Sequence, residues 1–267
     1  SGGQAIGTAM RLIRRGLADR VLTGGFDSMI SPVGLSGFCL LSAVSPDNDN
    51  PERASRPFDL TRNGFVLGEG AGFLVLEEWN SAVQRGATIY AELAGDGNSL
   101  SSYRITDSHP SGDGPIQSMR RAIADAGADI SDIDYLNAHG TSTPMNDRSE
   151  CAAVKAVFGA RANDVGVSST KSVTGHLIAA AGAVEAGLVG GVDRALQQRT
   201  SPLQSRGATV AATFPANPAT DRVTPQQQPP QRRRVAPWGD ALFSTLAHGA
   251  AWLTLASLIG YAVIYTG

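Results

Sequence analysis

The 267 residues are 42% hydrophobic and 17% charged, enough apolar material for one large or two modest globular domains with a real core. A formal net charge of -2 lacks the clustered basic surface that phosphate backbones demand, so nucleic acid is not an expected partner. The two cysteines, Cys39 and Cys151, stand far apart without Cys-x-x-Cys or His-rich spacing, which argues against a disulfide scaffold or structural zinc and for a reducing, cytoplasmic setting.

In chain order, Ile6, Ala9, Met10 and Ile13 recur at helical spacing and predict a helix over residues 4–15, stopped by Gly16. Residues 20–25 read as a short buried strand ending in glycines. Residues 26–63, with Pro32, Pro46, Pro51 and Pro57, read as a turn-rich excursion over the core. Strands are expected at 72–77 and 89–93, flanking a short helix over 79–85. A helix over 116–126 ends at Gly127, a strand follows at 133–137, and a further helix is expected over 150–158. This alternation, with abundant glycine, favours a layered α/β fold.

After about Pro202 the composition shifts to Ala, Pro, Gln, Thr and Arg, so 203–240 reads as a disordered linker. Residues 241–267 read as an apolar helix, because 241–265 hold no formally charged residue and match the length of a membrane span. Arg232, Arg233 and Arg234 before it, with Tyr261 and Tyr265 towards its end, fit insertion from the cytoplasmic side. The other reading is a buried helix with a polar face of Ser244, Thr245, His248 and Thr254.

Two segments carry the chemistry: Asn137-Ala138-His139-Gly140-Thr141-Ser142-Thr143-Pro144-Met145-Asn146-Asp147 and Ser168-Ser169-Thr170-Lys171-Ser172-Val173-Thr174-Gly175-His176. Each sets a histidine beside a glycine after a strand-like run, where α/β proteins commonly expose their sites. No cysteine or glutamate nearby has metal-ligand spacing, so neither a metal nor a cofactor is expected. Two imidazoles could instead donate to one carbonyl oxygen and stabilise the enolate left when a β-carboxylate departs as carbon dioxide. Other signals are weaker. Gly68-Glu69-Gly70-Ala71-Gly72 has the wrong spacing for a dinucleotide loop and precedes a strand, and His109 and His248 read as solvated or packed.

Asn-Ala-His-Gly-Thr-Ser-Thr-Pro-x-Asn-Asp and Lys-Ser-x-Thr-Gly-His resemble the two histidine motifs of the β-ketoacyl-[acyl-carrier-protein] synthases. Arg56-Pro57-Phe58-Asp59, the block at 64–72 and the block at 180–186 extend that resemblance over residues 1–202. The resemblance implies a thiolase-like layered α/β fold of two pseudo-symmetric halves. This chain would hold it incompletely, as the end of the N-terminal half and most of the C-terminal half. It also implies a homodimer, acyl carrier protein as partner, substrates carried on phosphopantetheine, and elongation by decarboxylative Claisen condensation in fatty-acid or polyketide synthesis.

By motif position, His139 and His176 would be the catalytic imidazoles, Lys171 the active-site lysine, Glu185 its acid, and Thr141 and Thr143 the phosphopantetheine contacts. Residues 1–7 resemble the tail of the nucleophile motif, which places the family's cysteine two positions before Ser1 and makes this chain part of a longer enzyme. Neither Cys39 nor Cys151 is expected to replace it, so the chain alone should not take up an acyl group. Two alternatives stay open: a non-catalytic partner subunit like the chain-length factors, and a membrane-tethered acyl-binding module.

Overall fold

A computed structural model describes residues 1–104, 107–197 and 260–265, with backbone alone for 191–197 and 260–265. Helix α1 (Gly2–Arg14) buries the expected stripe of Ile6, Ala9, Met10 and Ile13. It ends where Gly16, at φ +66°, turns the chain back and Leu17 N–H reaches Leu12 O at 3.0 Å. Strand β1 (Arg20–Asp27) follows. Helix α2 (Pro32–Leu40) then forms inside the stretch expected to be irregular, because Ser31 caps it by accepting from Gly34 N–H and Pro32 fits its first turn.

Strand β2 (Gly70–Glu77) pairs antiparallel with β1, from Arg20 opposite Glu77 to Asp27 opposite Gly70. Glu77 is buried at the end of this ladder, with Arg20 at 2.6 Å and Arg85 at 2.6 Å. Hydrogen bonding to Arg85, then to Arg20 and Ser81, outweighs burial and holds its carboxyl down to about 2. Arg85 caps the end of α3 (Trp79–Gln84).

Strand β3 (Glu92–Asn98) lies three residues later than expected. Gly95 and Gly97, beyond the expected strand, are strand residues that let the backbone lie on helix α4 (Asp113–Ala126). A Cβ on Gly97 would sit 2.1 Å from Ser118 O. Gly127 stops α4 in the left-handed conformation, as expected.

Strand β4 (Tyr135–Asn137) leads into helix α5 (Pro144–Phe158), which begins six residues before the expected start at Glu150. Thr143 caps it through Asn146 N–H, with Pro144 in the first turn, so Cys151 lies inside the helix rather than at its start. Strand β5 (Gly166–Ser168) runs parallel to β4, followed by the single turn α6 (Lys171–Thr174) and helix α7 (Ala181–Gln197).

Strand β6 (Gly260–Tyr265) pairs antiparallel with β3, from Glu92 opposite Tyr265 to Asn98 opposite Gly260. This corrects the expectation of a helix running to the end of 241–267. Gly260 is a poor helix former, while Tyr261, Val263, Ile264 and Tyr265 suit a strand, and β3 supplies the ladder. The rest of that segment and the expected linker at 203–240 fall outside the described residues. Among the described residues no helix is long and apolar enough to cross a membrane.

Helices α1 and α7 both pack on the β1–β2 pair, and one core joins Ile6, Met10 and Ile13 to Leu74, Leu76 and Leu93. Leu76 is fully buried, and burial of such a side chain contributes about 1.5–3 kcal/mol. A second core forms where Met119 and Ile123 of α4 meet Val154, Val157 and Phe158 of α5, with Val165. The parallel β4–β5 pair stands beside this second core and delivers two loops to one edge.

Candidate active site

Strands β4 and β5 point the same way, and Ala138 N–H donates to Ser168 O at 2.7 Å just past the ladder. The loop after β4 therefore carries His139 to the place where the loop after β5 brings Lys171 and His176. The two imidazole centroids lie 5.3 Å apart with the rings nearly perpendicular, at 86°. Phe65 meets the other side of His176, centroid to centroid at 5.3 Å.

Each histidine is held by its backbone. His139 N–H and Gly140 N–H donate to the two oxygens of Glu150, each at 2.7 Å, and Glu150 is buried on α5. Gly140, at φ +37°, packs so tightly on Ser169 that an added Cβ would stand 2.5 Å from that side chain. Asp147, one turn earlier on α5, accepts from Phe58 N–H at 2.8 Å and Ser142 N–H at 3.2 Å and faces Arg62 at 3.4 Å.

His176 is clamped differently. Its N–H donates to Val66 O at 2.8 Å, and its carbonyl accepts from Gly68 N–H at 3.0 Å. Ile178 N–H donates to His176 Nδ1 at 3.0 Å. With the Nδ1 lone pair taken, the neutral ring carries its proton on Nε2 and presents a donor there.

Ser42, Phe58, Ser142 and Ile178 are the non-glycine residues with left-handed φ among those described. Ser142 and Ile178 follow the two histidines, and Phe58 touches Gly140, where an added Cβ would lie 3.1 Å from its ring. Backbone strain is thus gathered around the imidazoles, a common property of sites whose geometry the fold over-determines.

Lys171 is buried, 1% exposed, and its Nζ donates to Glu185 Oε1 at 2.5 Å. Burial first, then the Lys171 charge, then His176, push the His139 imidazole well below its ordinary value. Burial first, then Lys171, hold His176 down to about 3. Both rings are therefore neutral at physiological pH.

The sequence-derived residues His139, His176, Lys171 and Glu185 are thus assembled as two facing imidazoles with a buried ion pair behind them. Thr141 and Thr143 are also adjacent, their hydroxyls 2.9 Å apart, and Thr143 caps α5 as well. Cys39 and Cys151 are both exposed, and burial together with Glu150 and Asp147 pushes the Cys151 thiol up, away from a thiolate. Among the described residues no group of three or more His, Cys, Asp or Glu could hold a metal ion.

Sequence reasoning missed Glu150, Asp147 and Ser169. The available signal was the pair of acids spaced three apart after Thr143-Pro144. That pattern places both carboxylates in the first turns of a helix, close to the loop before it.

The β-ketoacyl synthase N-terminal domain description matches residues 1–82, and the C-terminal domain description matches residues 90–202. The chain is 48% identical over 186 residues to the 3-oxoacyl-[acyl-carrier-protein] synthase 2 of Staphylococcus aureus, covering 70% of this chain and 46% of the relative. Among solved structures it is similar to a type II polyketide acyl-carrier protein in complex with its ketosynthase, bound to the hexaketide. That match has 40% identity and a TM-score of 0.71, over 72% of this chain and 48% of that one. It is also similar to the ishigamide ketosynthase/chain length factor, at 37% identity and a TM-score of 0.66, over 73% and 45%. These likenesses show the thiolase-like α/β fold. The chain spans about half the length of the relatives it matches.

Proposed function

The chain belongs to the β-ketoacyl synthase family, and on that premise we propose that its paired imidazoles serve the decarboxylative Claisen condensation of chain elongation, in fatty-acid or polyketide synthesis, with malonyl-carrier protein as substrate. The observation that carries this reading is the facing of two neutral imidazoles, 5.3 Å apart, at the ends of adjacent parallel strands. When the malonyl C–C bond breaks and carbon dioxide leaves, the electron pair passes into an enolate whose oxygen takes hydrogen bonds from His139 and His176 Nε2. The carbanion carbon then attacks an acyl thioester and expels its thiolate. Thr141 and Thr143 are proposed to hold the phosphopantetheine arm, and Lys171, its ammonium anchored by Glu185, to keep both rings neutral. No separate cofactor is required by this chemistry, and a cytoplasmic setting suits it.

The acyl-accepting thiol of this reaction is not assigned to Cys39 or Cys151. The proposal for these 267 residues is therefore decarboxylation without acyl uptake. Malonyl-carrier protein labelled in its free carboxylate should release carbon dioxide in the presence of the chain. His139→Ala and His176→Ala should each slow release by about 10²–10³-fold, the usual cost of losing one oxyanion donor. Release by the wild-type chain no faster than by a folded double variant would sink the reading. The likeness to a ketosynthase/chain length factor structure suits a non-catalytic partner role as well, but retention of both histidines, with their rings facing each other, favours the catalytic one.

Self-association is proposed through α2, whose side chains are apolar apart from Ser36 yet which buries only Gly34, with Val33 83% and Leu40 87% exposed. A second copy is the proposed occupant, since solved relatives of this fold pair a ketosynthase with a chain length factor. Sedimentation of the chain should give a dimer and Val33→Glu/Leu40→Glu a monomer. A wild-type monomer at micromolar concentration would remove the assignment.

A further inference from the structure

We propose that Asp27, the last residue of β1, is a positioning residue for His176, acting through the backbone of Ala179. Its carboxylate oxygen accepts from Ala179 N–H at 3.1 Å, across 152 residues of sequence. Gly2 N–H, at the start of α1, donates to the carbonyl of the same residue at 3.1 Å. Gly25 on β1 lies so close that an added Cβ would stand 2.5 Å from Ala179 O, so the strand itself seats the turn. One peptide segment beyond His176 is thereby gripped at both its donor and its acceptor.

The residue between ring and clasp is Ile178, at φ +48°, a conformation that costs a β-branched residue energy and does not persist unless its surroundings impose it. In that conformation its N–H is directed to His176 Nδ1 at 3.0 Å. Val66 and Gly68 hold His176 on the near side, and Asp27 and Gly2 hold Ala179 on the far side. Ile178 is stretched between them. Asp27 is thus the distant anchor that keeps the Ile178 N–H aimed and the His176 proton on Nε2. Its relevance to decarboxylation rests on the function proposed above, but the anchoring itself does not.

The test is nitrogen-15 NMR of the histidine side chains and hydrogen exchange of the Ile178 and Ala179 amides in the full chain. Wild-type His176 should show one tautomer, protonated on Nε2, between about pH 5 and 8. Asp27→Ala should give a tautomer mixture at His176, leave His139 unchanged, and speed exchange of both amides by about 10- to 100-fold, the factor expected for a hydrogen bond to a charged group. Asp27→Asn, which keeps a carbonyl acceptor, should retain the single tautomer. A folded Asp27→Ala chain with one His176 tautomer and slow exchange overturns the proposal. If that variant does not fold, the wild type decides: an unprotected Ala179 amide overturns it, and a protected one with a single tautomer in Asp27→Asn supports it. None of these readouts depends on carbon dioxide release, so failure of the reaction and failure of the anchor are distinguishable.

Discussion

Glu185→Ala should destabilise the chain by roughly 3–5 kcal/mol, the cost of removing one partner from a buried ion pair. Lys171 is 1% exposed, its ammonium lies 2.5 Å from a Glu185 side chain that is 17% exposed, and truncating the acid leaves the cation with little access to water. Replacing both residues, as Lys171→Met/Glu185→Leu, removes the charge and its counter-charge together and should recover most of the loss. Urea unfolding of the wild type and these two variants measures this. A Glu185→Ala change below about 1 kcal/mol, the size expected of an exposed pair, would show that the pair is solvated.

Glu185→Ala and the single Lys171→Met separate the pair's structural role from its electrostatic one. Lys171 is the second cause, after burial, of the depressed titration of both imidazoles. Removing its charge in Lys171→Met must therefore raise the His176 value from about 3, though not to that of a free imidazole, because burial remains. Glu185→Ala keeps the Lys171 side chain in place, so both histidines should stay depressed while the ammonium remains charged. A titration followed by NMR reads the sign directly.

Much of this was legible in sequence because the signals were local. The stripe of Ile6, Met10 and Ile13 fixed α1, Gly127 stopped α4, and two His-Gly or Gly-His contexts after strand-like runs located the imidazoles. What escaped was set by contacts between distant segments. The expected strand at 89–93 stopped short of Gly95 and Gly97, whose place in β3 depends on α4 lying against them, and β6 looks helical until β3 offers it a ladder. Asp27 carries no local mark, since its partner is Ala179. Glu150 looked like an ordinary acid at a helix start. It proved to lie in the second turn of α5, aimed back at the loop that carries His139.

Glu150→Ala is the second large expected effect. One carboxylate accepts two backbone N–H groups at 2.7 Å each, from His139 and Gly140, in a place where Glu150 and Gly140 are both buried. An unsatisfied buried donor costs about 1–3 kcal/mol, so losing both bonds should cost roughly 2–6 kcal/mol in urea unfolding. Glu150→Gln should fall between, because one oxygen becomes an amide that turns a donor towards a donor. The loss should also be local. His176 is held by Val66, Gly68 and Ile178 rather than by α5, so its tautomer should survive in Glu150→Ala while carbon dioxide release falls with the displaced His139. Equal disturbance of both imidazoles would mean that the two loops move as one body. A Glu150→Ala chain of unchanged stability would mean that water replaces the carboxylate at both N–H groups.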